Sequence, residues 1–316
     1  RLPIWLGYQG PKGARRAGLL GEGLLSIDPA LVEPYRNGLA DGGHDPERAR
    51  DLCVPSSRWH HRGVTTPPEP IDDADGLAGF PVTPPPLPGP AIFDQRWGDL
   101  TFIHWPVNPA DVAHLYPAGT RPDVFADGMT YAALVPFRMS QTALGRAPAL
   151  PYFGTFLETN IRLYSLDDAG RHGVLFRSLE TARLAVVPLI RITMGIPYTW
   201  ARMRMSYSKE EISYDSVRRW PNRGLRSRLV INVGEQVQPT ALEIWLTARW
   251  GAHTRKAGRT WWVPNEHGPW TLYSAHVVRL EDELLAAAGV QPAGERLRAL
   301  FSPGVRTRFG PPSIVA

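Results

Sequence analysis

Cysteine is almost missing from this chain of 316 residues: Cys53 stands alone. That excludes a disulfide within the chain and a zinc site of the cysteine type. Lysine is scarce too, with Lys12, Lys209 and Lys256 the only three, so nearly all of the 35 basic residues are arginine. No apolar run approaches the ~18 residues of a membrane-spanning helix, and no charged leader followed by an apolar stretch marks an export signal. Neither a G-x-S-x-G nucleophile turn nor a Walker-type phosphate loop occurs. A cytoplasmic protein with no membrane partner is therefore expected. The net charge of +5 raises the question of nucleic acid. The arginines are scattered among acids, however, and Arg218, Arg219, Arg223, Arg226 and Arg228 form the only local cluster. A solvated loop is expected there, and nucleic acid is not an expected partner.

What the chain does have falls into three stretches. Residues 51–90 carry ten prolines and no sustained apolar period, which predicts a disordered linker. Before it, residues 1–50 read as strand (PIWLGYQ), glycine turn (GPKG), short helix, strand (EGLLSID) and a helix opening at Asp28 before Pro29, with Pro34 bending it. Gly10, Lys12 and Gly13 at a strand-to-helix turn would let backbone N–H groups approach a phosphate. The run PIWLGYQGPKGARRAG followed by GEGLLSID resembles the last quarter of the bacterial luciferase-like oxidoreductase barrel. That resemblance implies a flavin or deazaflavin phosphate turn at Gly10, Pro11, Lys12 and Gly13. Two strands cannot close a barrel, so this piece reads as a remnant of fusion or frame shift. A flavin-dependent oxidoreductase is only the alternative function, and no cofactor is otherwise expected.

Residues 91–316 carry the folded domain. DLTFIHWPV reads as a strand, followed by a short helix capped by Asn108, opened by Pro109 and ended by Pro117. Asp127-Gly128 between two apolar runs predicts a hairpin. FGTFLETNIRLYSL and GVLFRSL make another through DDAGR, and Thr181–Met194 reads as a helix bent at Pro188. Strands resume at RMRMSYS, EISYDSV and RLVINVGEQVQ. Thr240-Ala-Leu-Glu243 is a capping box opening a helix through Trp250. Strands follow around AHTR, RTWWV and WTLYSAHVVRL, with a last helix from Glu281 to Gly289. Trp261, Trp262 and Trp270 are expected in hairpin packing. Many antiparallel strands with few helices predict an α+β domain built on a curved antiparallel sheet or closed β-barrel.

Alternation in FLETNIRLY puts Glu158, Asn160 and Arg162 on one strand face, neighbours about 7 Å apart. Arg138 in VPFRM and Arg177 in LFRSL are single guanidinium groups in otherwise apolar strands. Burying such a charge costs several kcal/mol unless it is paired, and Glu158 is the expected partner. Arginines converging on one carboxylate would bind a small anion, because guanidinium grips carboxylates bidentately; a structural ion-pair network is the other reading. No two of His104, His253, His267 and His276 are spaced as a metal pair.

RWGDLTFIHWPVNPADVAHLYPAGTRPDVFADGMTYAALVPFRM, FLETNIRLY, VLFRSLETARLAVV, GIPYTWARM, NEHGPWTLYSAHV and FSPGVRTRFGPP together resemble the uncharacterised YqjF-like family over about 93–312. That family is similar in fold to acetoacetate decarboxylase. The resemblance implies a curved sheet around an internal pocket, with Tyr198 and Thr199 where the decarboxylase carries its imine-forming lysines. Schiff-base decarboxylation is therefore not expected. The implied function is binding, or turnover, of a small organic acid. Arg138, Asn160, Arg162, Arg177 and Tyr198 would be ligand-binding residues and Glu158 the catalytic acid or base. A homo-oligomer is a further expectation, and a non-enzymatic interaction module the remaining alternative.

Overall fold

The computed structural model describes residues 5–6, 15, 23–24, 32–43, 76–145, 154–208 and 211–315. The chain divides into two compact units, Arg1–Pro67 and Pro68–Ala316. In the first, strands β1 (Trp5–Leu6) and β2 (Gly23–Leu24) pair in parallel. Helix α1 spans Val32–Asp41 and buries Tyr35 and Leu39. Pro34 lies in its first turn, where the missing N–H costs no helical bond. The expected start at Asp28 and Pro29 lies outside the described residues. Gly10, Pro11, Lys12 and Gly13 lie outside the described residues.

The second unit begins earlier than composition suggests. Residues 51–75 of the expected linker lie outside the described residues, but 76–90 belong to the folded body. Leu77 is buried, Phe80 packs edge-on to His172, and the Trp250 indole donates to the Pro81 carbonyl at 2.5 Å. Proline density predicts irregular backbone, and that holds; it says nothing about whether the side chains between the prolines are buried.

The strands of this unit are β3 (Phe93–Val107), β4 (Thr120–Pro122), β5 (Thr130–Leu144), β6 (Phe156–Asp167), β7 (His172–Thr181), β8 (Tyr198–Tyr207), β9 (Glu211–Trp220), β10 (Arg226–Gln236), β11 (Gly251–Lys256), β12 (Arg259–His267), β13 (Tyr273–Asp282), β14 (Ala299–Phe309) and β15 (Ser313–Ile314). The helices are α2 (Pro109–Val112), α3 (Val186–Met194), α4 (Ala241–Thr247) and α5 (Leu284–Ala287). Among the described residues the strands form one sheet in the order β15-β12-β11-β7-β8-β9-β10-β13-β14-β3-β5-β6-β4. Further pairings of β12 with β14 and β7 with β6 curl it strongly. All pairs are antiparallel except β11–β7 and β7–β8.

β5 and β6 are buried on both faces, which explains the near-continuous apolar run of β5. On one side Ile103, Ala132, Leu134, Ile161 and Leu163 join a core with Leu229, Ile231 and Phe301. On the other, Leu100, Phe102, Ala133, Val135, Phe137, Met139, Phe156 and Tyr164 join a second core with Trp245 and Ala252. Strand alternation therefore decides which core each side chain enters.

Several expectations change in the structure. The Asp127-Gly128 turn forms, with the Gly128 N–H on the Phe125 carbonyl at 2.9 Å, but β4 before it pairs with β6 rather than β5. Thr181 ends β7 instead of opening a helix, because the ladder with β6 continues to Glu158↔Thr181. Pro188 sits in the first turn of α3 and marks its start, not a bend. The capping box at Thr240 forms as expected, with both of its bonds present, although α4 ends at Thr247.

Candidate active site

The polar stripe of β6 points into the second core. Glu158, Asn160 and Arg162 share the face of Phe156 and Tyr164, which belong to that core. Glu158 and Arg162 line a cavity of about 110 Å³ there, together with Tyr198, Arg249, Asn265, His267 and apolar residues including Trp97, Ile190, Met194 and Trp270.

Glu158 is 3% exposed. The Tyr198 hydroxyl, on the first residue of β8, donates to its Oε2 at 2.7 Å. The parallel pairing Leu179↔Tyr198 fixes that residue, and α3 helps hold it, since the Arg191 guanidinium donates to the Tyr198 carbonyl at 2.9 Å. The turn out of α3 requires Gly195, whose φ is 69° and where a Cβ would meet the Arg255 carbonyl oxygen at 2.4 Å. Burial pushes the Glu158 carboxyl up to about 8, against the opposing hydrogen bonds of Tyr198 and Asn160. Burial, then the neighbouring carboxyl, lifts the Tyr198 phenol well above its ordinary range. At neutral pH the pair is a protonated acid beside a neutral phenol.

The cavity also holds cations. Arg249 is buried; its Nε donates to the Trp245 carbonyl at 2.8 Å and its Nη1 to Asp123. Its plane lies 3.9 Å from the Trp245 ring centre. Asp123 also meets His172 Nδ1 at 2.8 Å. Arg249 Nη2 and Arg162 Nε are buried without a hydrogen-bond partner among the described residues. Unsatisfied guanidinium N–H groups are costly, and both residues also line the cavity. His267 Nδ1 donates to the Gly268 carbonyl at 2.7 Å, leaving Nε2 as an acceptor. Burial, with Arg162 as a further cause, depresses this imidazole to about 4. Trp250 and Trp270 each lie 4.7 Å from its ring and Trp97 6.3 Å.

Of the side chains expected to converge, Glu158, Arg162 and Tyr198 line the cavity, and Asn160 shares their face. Arg138 does not join them. Its neighbours in register are Leu157 and, one position on, Phe137↔Glu158, so Arg138 and Glu158 point to opposite faces. Arg138 pairs with Asp99 at 3.0 Å and with the Tyr207 hydroxyl. Arg177 is also turned away: a bulge opposite Ile161 and Arg162 shifts the parity of β7, and its guanidinium donates to the carbonyls of Ala288 and Leu115. Arg218, expected in a solvated loop, is buried and forks onto Glu180 with 3.1 Å contacts from Nε to both oxygens. The sequence reading missed Arg249 and His267. The criterion that singled out Arg138, one guanidinium in an apolar run, also marks Arg249 in EIWLTARWGA. Only the fold tells which of these enters the cavity.

Among the described residues no cluster of three His, Cys, Asp or Glu side chains is placed to hold a metal, and no helix is long and apolar enough to cross a membrane. Comparison with known proteins gives a consistent picture. The family DUF2071, described as an uncharacterized conserved protein, matches residues 94–306. The uncharacterized protein YqjF of Bacillus subtilis (strain 168) is 26% identical over 186 residues, 58% of this chain and 76% of that protein. An acetoacetate decarboxylase-like enzyme from Sphingomonas wittichii RW1 superposes with a TM-score of 0.52 at 14% identity, covering 72% of this chain and 94% of the other. The enduracididine biosynthesis enzyme MppR, complexed with pyruvate, gives 0.50 at 14%, covering 74% and 91%. At such identities these structures establish a shared fold, with its curved sheet, and nothing about chemistry.

Proposed function

The chain belongs to the DUF2071 family, and from its cavity we propose that it binds, and acts on, a small organic acid. The carrying observation is a pair of guanidinium groups, Arg162 and Arg249, lining one cavity with Glu158. A ligand carboxylate would pair with guanidinium in that cavity. The reading takes the curled sheet as a closed barrel around that cavity, which the β7–β6 and β12–β14 pairings support.

Glu158 lies on the same face of β6 as Arg162, about 13 Å away between Cα atoms, a span that the two side chains shorten from either end. The cavity of about 110 Å³ is somewhat smaller than the ~150 Å³ that accommodates benzene, which favours ligands of no more than about six heavy atoms. Tyr198 holds Glu158 and cannot form an imine, so the chemistry would be proton transfer rather than Schiff-base catalysis. Two expected ligand contacts, Arg138 and Arg177, give way to Arg249 in this reading.

A thermal-shift series with short keto and hydroxy acids tests it. Wild type is expected to gain melting temperature with at least one acid, and Arg162→Gln to lose that gain. Identical, unshifted melting across the series refutes the proposal.

A further inference from the structure

Resting on the acid-binding reading, we propose that this cavity catalyses enolisation of a short 2-oxo acid, with His267 the proton acceptor and Glu158 the proton donor. Both residues line the cavity, and each is held at neutral pH in the form it carries before transfer. His267 has its Nδ1 hydrogen committed to the Gly268 carbonyl at 2.7 Å, so Nε2 carries the lone pair. Trp250 and Trp270, each 4.7 Å away, flank the neutral ring and offer π faces to the imidazolium once it forms. Glu158 has the Tyr198 hydroxyl at 2.7 Å, ready to stabilise the carboxylate left behind.

The step balances without an oxidant, reductant or second substrate. His267 Nε2 takes a proton from C3 of the 2-oxo acid, and the C–H electron pair becomes the C2=C3 double bond. The carbonyl π electrons move to the C2 oxygen, which takes the Glu158 proton. Arg162 and Arg249 hold the C1 carboxylate throughout. Return of a proton to C3 regenerates the oxo acid, and in D2O it returns as deuterium. The depressed basicity of His267 and the raised Glu158 carboxyl keep base and acid in the required forms at neutral pH, the pattern of two groups pushed apart by their surroundings.

Pyruvate, with six heavy atoms, is the probe. The full chain in D2O should erase the pyruvate methyl signal in proton NMR faster than buffer does, and oxamate, which has no C3 hydrogen, should suppress the exchange. Glu158→Gln and His267→Gln should each slow exchange by roughly 100-fold while keeping the pyruvate-induced rise in melting temperature. A melting shift without exchange above buffer overturns enolisation and leaves the acid pocket standing. So does exchange that survives in both variants or is indifferent to oxamate. No shift with pyruvate or any other short acid removes the pocket reading and this inference together.

Discussion

Glu158→Gln should change the pH dependence of folding stability in a calculable way. The carboxyl is 3% exposed, and burial raises it from the ordinary 4.5 to about 8. Tyr198 from β8 and Asn160 on β6 act against that rise, and Arg162, Arg249 and His267 share the cavity. Below pH 4.5 both folded and unfolded chains carry the proton, and the group contributes no pH dependence. Between 4.5 and 8 the folded chain keeps a proton that the unfolded chain has released. Stability then falls with rising pH by about 1.4 kcal/mol per pH unit. From pH 5 to pH 7 wild type loses about 3 kcal/mol through this one group, whereas glutamine, which still accepts from Tyr198, loses none. Other titrating groups cancel when the two proteins are compared. Urea unfolding of both at pH 5, 6 and 7 measures the difference, which should grow in favour of the variant by about 3 kcal/mol. A difference that stays constant over this range refutes a protonated Glu158.

Two other substitutions probe the frame of the site. Arg218→Ala leaves the Glu180 carboxylate, 0% exposed, without its forked partner, and should cost about 3–5 kcal/mol in urea unfolding; replacing both residues by methionine should recover most of it. Gly304→Ala meets a φ of 117° and a Trp97 carbonyl oxygen 1.9 Å from the new Cβ, so a loss of at least about 2 kcal/mol is expected, read as a lowered melting temperature. A neutral outcome would mean that β14 and β3 separate easily there.

Local chemistry made much of the fold legible. The capping box at Thr240, the hairpins β6–β7 and β11–β12, and the alternation of FLETNIRLY all follow from interactions within a few residues. What sequence could not supply was long-range pairing. Nothing in VFADG says that β4 lies against β6, so the turn before β5 looked like a hairpin. Arg138 and Arg177 look like Arg162 by composition, since each is a charge in an apolar strand with both faces buried. Alternation puts Arg138 one residue out of phase with Phe137, the neighbour of Glu158, and a bulge turns Arg177 away. Both features require the register between strands, which no single strand contains. Arg249 and His267 reach Glu158's cavity from segments about 90 and 110 residues further along the chain, a proximity set by the pairing of β11 with β7 and of β12 with β14.

The wall that β3, β5 and β6 share between two cores has a consequence for adaptability. Those strands are braced from behind by close-packed side chains, so they cannot retreat to admit a bulkier guest without disturbing the rear packing. Helix α3 has no such brace: Leu189 and Ile192 on its outer side are 59% and 74% exposed, while Ile190 and Met194 reach the cavity. In the proposed reading, a change in ligand size is taken up most easily on this side, at Ile190 and Met194, with Arg191 keeping its hold on the Tyr198 carbonyl.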